Sequence, residues 1–118
     1  MANSAEQIVH DALTALGMGG VYPDVASQNA PRPWFTYQAI GGQSINQLDD
    51  VVALQNARMQ VNAWATTRAA AVAMISAASA ALCFEPVLAT SIGAPVSTYE
   101  PDTKLFGSRQ DFSIWFTP

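Results

Sequence analysis

From Ala69 to Phe84 every residue is small or apolar except Ser76 and Ser79, and the run is bracketed by Arg68 and Glu85. A helix built from it would be apolar on nearly every side and must be covered on nearly every side, which restricts the fold more than any other segment. The run is too short and too alanine-rich for the roughly 20 strongly apolar residues that a bilayer span needs. A buried helix over 67–83 is expected instead, capped by Thr66 or Thr67, with Val72, Ile75, Ser79 and Leu82 on one stripe and a reverse face that is also small and apolar.

A second helix is legible at the N-terminus. Ser4 and Gln7 have capping-box spacing, Ile8, Val9, Ala12, Leu13 and Leu16 recur at helical intervals, and Gly17 supplies a stop, so residues 4–16 are read as an amphipathic helix. Gly17 to Pro33 is rich in Gly, Pro, Asn and Ser and reads as a long connector. Trp34 to Ile40 is aromatic and β-branched, with Phe35, Tyr37 and Ala39 alternating against Trp34, Thr36 and Gln38. Ala57 to Ala65 sets Met59, Val61 and Ala63 against Arg58, Gln60, Asn62 and Trp64, the pattern of a half-buried antiparallel strand. Val96–Glu100 and Arg109–Phe116 complete the strands, the latter with Phe112, Ile114 and Phe116 opposed to Asp111, Ser113 and Trp115; Gly107 and Ser108 mark the bend between them. Residues 41–55 are open to two readings, an ordered loop or the start of a strand at Val51, Val52 and Leu54. Helix, two strands, helix, two strands implies an α+β fold: a mainly antiparallel sheet of about four strands with two helices packed on one face. The length of 118 residues fits one domain spanning 1–118.

Only 12% of the residues are charged while half are hydrophobic. Disorder is thereby excluded, and more apolar surface is left than a lone small domain usually exposes, which leans towards self-association. A net charge of −4 provides no basic footprint for phosphates and disfavours DNA binding. Cys83, the one cysteine, can form neither an internal disulfide nor a thiolate metal site by itself, and a reducing compartment suits it. No secretory signal is readable in the first residues.

Candidate chemistry is sparse. His10 follows Glu6 by four residues, where an ion pair or plain exposure is the ordinary outcome, and no nucleophile or acid is spaced to work with it. Cys83 lacks a basic neighbour to activate it. Asp49-Asp50 has no spaced oxygen ligands around it for a cation. Gly17, Gly19 and Gly20 follow a helix, whereas a phosphate loop precedes one. No catalytic residue, cofactor site or metal site is assigned, and an enzyme is not expected. Trp34, Trp64 and Trp115 each alternate away from the core stripe; each belongs either at an interface or under a loop or helix.

Three segments resemble the tail-completion (tail-terminator) proteins of long-tailed bacteriophages: VYPDVASQNAPRPWFTYQ (Val21 to Gln38), RMQVNAWA (Arg58 to Ala65) running into a helix of small residues, and DFSIWF (Asp111 to Phe116). That resemblance implies a structural virion protein, assembled in the host cytoplasm, that forms a ring, commonly a hexamer, at the head-proximal end of the tail. It implies three partners: copies of itself, the tail-tube protein and a head-side connector or stopper, with DNA passing through the lumen unbound and no membrane involved. The family often carries an acidic residue where this chain has Asn62. Interface candidates are Ile45, Leu48, Asp49, Asp50, Val51, Val52 and Leu54 in the Gly41–Gln55 loop, together with the three tryptophans. Two other readings remain: a different neck component such as a stopper or adaptor, or a small oligomeric ligand-binding or enzymatic α+β domain whose pocket is the second sheet face.

Overall fold

The computed structural model describes residues 4–43 and 54–117. The first helix, α1 (Ala5–Leu16), forms where the periodicity places it. Ser4 Oγ accepts the Gln7 amide at 3.0 Å, the first half of a capping box. The Gln7 side chain does not return to the cap: its Nε2 donates to Asp11 Oδ1 at 2.7 Å. Gly17 ends the helix with φ 65°, a left-handed conformation that glycine adopts without Cβ strain. The second helix, α2 (Arg68–Cys83), starts at Thr67, whose Oγ1 accepts the Ala70 amide at 3.1 Å.

Five strands make one sheet, one more than about four: β1 (Gly20–Pro23), β2 (Trp34–Ala39), β3 (Gln55–Ala65), β4 (Thr90–Glu100) and β5 (Leu105–Phe116), in the order β1-β2-β3-β5-β4. All neighbours are antiparallel except β1 and β2, which run parallel. Strand β1 corrects the expected structureless connector, because Gly20 to Pro23 pairs with Trp34 to Tyr37. A proline can close it because β1 lies at the sheet edge, where a missing N–H breaks no ladder. Strand β3 begins at Gln55, so the end of the undecided 41–55 segment is strand; residues 44–53 lie outside the described residues.

Strand β4 starts six residues before Val96. Its register shifts between Ile92 and Val96, where Gly93 has φ 72° and its carbonyl accepts Gln110 Nε2 at 2.9 Å. The glycine and Pro95 therefore mark a bulge inside a strand rather than a break between strands. Gly107 and Ser108 are likewise inside β5, not at a bend. The turn lies at Pro101–Lys104 and is closed by the Lys104 amide on the Glu100 carbonyl at 2.8 Å. Gly107 is small for another reason: a Cβ there would lie 2.8 Å from Trp64 Cζ3 and collide with Thr98 Oγ1.

Both helices pack on one face of the sheet, α1 over β1 and β2, α2 over β3, β5 and β4, and they touch each other. Between them and the sheet lie Val9, Leu13, Phe35, Met59, Val61, Ile75, Leu82, Phe112 and Ile114, all essentially without exposure. The expected stripe of α2 is rotated. Ala71, Met74, Ile75, Ala78 and Leu82 face the sheet, whereas Val72 is 47% exposed. In a helix this rich in alanine the small residues decide how close it can approach the strands, and Ala71 and Ala78 win the contact over the larger Val72. Its other flank, including Val72, Ala73, Ser76 and Ala80, is open to solvent.

Candidate subunit interface

The strands that bury Phe35, Met59 and Phe112 inward present polar side chains on the opposite face, which no helix covers. Arg58 donates from Nε and Nη2 to Asp111 Oδ2 at 3.0 and 2.7 Å across β3 and β5. Gln60 Nε2 reaches Asp111 Oδ1 at 3.4 Å, and Asn62 Nδ2 reaches Gln60 Oε1 at 3.5 Å. Asn56 Nδ2 donates to Ser113 Oγ at 2.9 Å and to the Ile114 carbonyl. Arg109 is exposed on the same face, without a carboxylate partner among the described residues. Val96 stands directly opposite it on β4 and is 47% exposed. The result is a lattice of amides and charges across β3 and β5.

At one end of this face the segment Asp24–Arg32 and the sheet together line an open cavity of about 520 Å³. Trp34 and Trp64, paired directly across β2 and β3, form its floor with Thr36, Asn62 and Leu105. Both tryptophans are half-buried. These two side chains thus share a cavity with the connector, whose residues form its other wall.

Trp115 is placed elsewhere. It is 41% exposed at the far end of β5 and lines a second depression with Ile8, Pro86, Val87 and Phe116. That depression continues into an apolar groove of about 460 Å³ between α1 and the end of α2, walled by Ala12, Ala15, Leu16 and Ala81. Phe84 and Leu88, in the segment that follows α2, are 69% and 62% exposed. The structure therefore separates the three tryptophans into a covered pair and one groove residue. Leu54 is 46% exposed beside the start of β3, while Ile45, Leu48, Asp49, Asp50, Val51 and Val52 lie outside the described residues. Sequence reasoning missed Phe84, Leu88 and the groove, and the available signal was an aromatic and a leucine around Pro86 outside any periodic stripe.

The weak chemical candidates resolve into structural roles. His10 pairs with neither Glu6 nor solvent alone: its Nδ1 lies 3.2 Å from Tyr37 Oη, and the two rings meet edge to face. Burial pushes the Tyr37 phenol above its ordinary 10.0, and the carboxylates of Glu6, Asp11 and Asp24 push it the same way. Cys83 Sγ is 3.9 Å from Ser79 Oγ. Arg68 holds the β4 and β5 backbones, donating to the Gly107 and Thr98 carbonyls at 2.9 and 3.2 Å with its guanidinium 5.1 Å from the Phe106 ring centre. Among the described residues no three His, Cys, Asp or Glu side chains cluster as a metal site would need, and no helix is long and apolar enough to cross a membrane.

A family model described as tail completion protein gp17 matches residues 8–117, which takes in most of α1, all of α2 and all five strands. The chain belongs to that tail-completion family. It is thus a phage tail structural protein. Its fold is similar to that of bacteriophage SPP1 gp17, with a TM-score of 0.51 and 19% identity, over 96% of this chain and 87% of the other. No curated protein matches the chain.

Proposed function

We propose that this tail-completion protein is a non-enzymatic ring subunit that closes the head-proximal end of the tail, stops tail-tube polymerisation and joins the tail to a head-side connector. The observation that carries the reading is the apolar surface left open on a weakly charged protomer: the groove between the helices, exposed Phe84 and Leu88, and Trp115 at its end. Surfaces of this kind on a small subunit mark contact with other proteins. Identical subunits associating through a rotation that closes give a ring with one surface for the tube and one for the connector. The segment 41–55, with Asp49, Asp50, Val51 and Val52, is the proposed reach towards a neighbour or the lumen. A hexamer would carry six times the net −4 of one chain, so DNA would pass through without adhering.

Electron micrographs of tails assembled without the protein test this. Abnormal lengths, or tails that fail to join heads, are expected; normal tails joined to heads would reject it. The cavity beneath Asp24–Arg32 favours one rival reading, a ligand-binding domain. A thermal midpoint that rises with a metabolite, in a chain that never forms large assemblies, would favour that rival.

A further inference from the structure

The charges of the protomer are distributed unevenly. Arg68 is committed to backbone carbonyls. Arg32 and Lys104 lie at the cavity end, interspersed with Asp24, Glu100 and Asp102. Arg58 and Arg109 remain on the open sheet face, with Asp111 as the one carboxylate between them. Around the groove the balance is reversed: Asp11 lines it, Glu85 adjoins Pro86 in its wall, and no Lys or Arg borders it.

Resting on the ring reading above, we propose that the groove between α1 and the end of α2 is the seat for a second copy of this chain, which inserts the Val96–Arg109 edge of its open sheet face. Val96 and Arg109 are opposite residues on adjacent strands, so their side chains project together. They form an apolar knob beside a guanidinium. The groove offers the complement, an apolar trough beside carboxylates.

Charge also selects the symmetry. Groove against groove would set the acidic rim of one copy, Asp11 and Glu85, against the same acidic rim of the other, a like-charge arrangement that disfavours it. Groove against open face pairs acid with base and uses two different surfaces of each subunit, the head-to-tail contact from which rings close.

The test uses the full chain, with tail tubes present as the nucleating surface, and native mass spectrometry as the readout. Asp11→Lys with Glu85→Lys reverses the groove, and Arg109→Glu reverses the knob. All three residues are exposed in the protomer, so unchanged thermal midpoints are expected. Glu85→Lys alone is the companion variant that leaves the Gln7–Asp11 hydrogen bond in place. Each reversed chain alone should associate about tenfold more weakly or worse. Mixing the two reversed chains should restore assembly, since every contact in an alternating ring is again acid to base, and so should one chain carrying both reversals. Reversed chains that assemble like the wild type, or mixtures that fail to recover, would overturn the assigned surfaces and leave the ring reading intact. A wild-type chain that never assembles would overturn both.

Discussion

The two faces of the sheet are made by the same strands and are held together by different physics. On the helical face, Phe35, Met59, Val61, Phe112 and Ile114 are closed off from water, and their contribution scales with the apolar area removed. On the open face Arg58, Gln60, Asn62 and Asp111 hold one another, and Asn56 holds Ser113, by hydrogen bonds that water could replace, so little net stability resides there. Most of the buried apolar surface of this protein thus lies on one side, Leu105, Trp34 and Trp64 beneath Asp24–Arg32 being the open-face exceptions. That division lets the protomer tolerate variation on the open face without unfolding.

Substitutions on the two faces should separate sharply. Phe112→Ala, at the centre of the closed face with no exposure, should lower the unfolding free energy by about 3–5 kcal/mol in chemical denaturation. An effect below 1 kcal/mol would break the contrast. Gly107→Ala is the open-face exception, because a Cβ would press on Trp64 and Thr98. It should cost about 1–3 kcal/mol and change Trp64 fluorescence.

Tyr37→Phe removes the contact with His10 and should cost about 1 kcal/mol at neutral pH. Its pH dependence is the sharper readout. With the native phenol titrating above its ordinary 10.0, wild-type stability is fully present below that value and is lost as pH rises through the raised native one, because the unfolded chain releases its proton first. The phenylalanine variant should lose less stability over the same alkaline window, and parallel curves would show that the shift is absent. Smallest of all, Arg58→Ala should change stability by about 1 kcal/mol or less, since the arginine of this ion pair is 45% exposed.

The closed face was legible because two periods were clear: Val9 and Leu13 at helical spacing, and Met59, Val61 and Ala63 at alternating spacing. Helix α1 was bounded to within one residue, 4–16 against Ala5–Leu16, by side chains with local roles, Ser4 and Gly17. Strand β1 was not legible, since four residues between glycines and a proline gain strand character only from a parallel partner fourteen residues away, as Gly20 opposite Trp34 shows. The first half of β4 was hidden because Gly93 and Pro95 signal a break locally and form a bulge only in the company of β5. On the surface, alternation placed Trp34, Trp64 and Trp115 correctly off the core. It could not distinguish the pair beneath Asp24–Arg32 from the one beside the groove, and the groove has no sequence period because its walls come from α1, the end of α2 and the segment after α2.

Sedimentation velocity over a wide concentration range, with and without tail tubes, addresses most directly whether copies of the chain cover the apolar groove. A shift from monomer to a closed ring-sized species, strengthened by the tubes, is expected. A strictly monomeric boundary at every concentration, tubes included, would contradict the account.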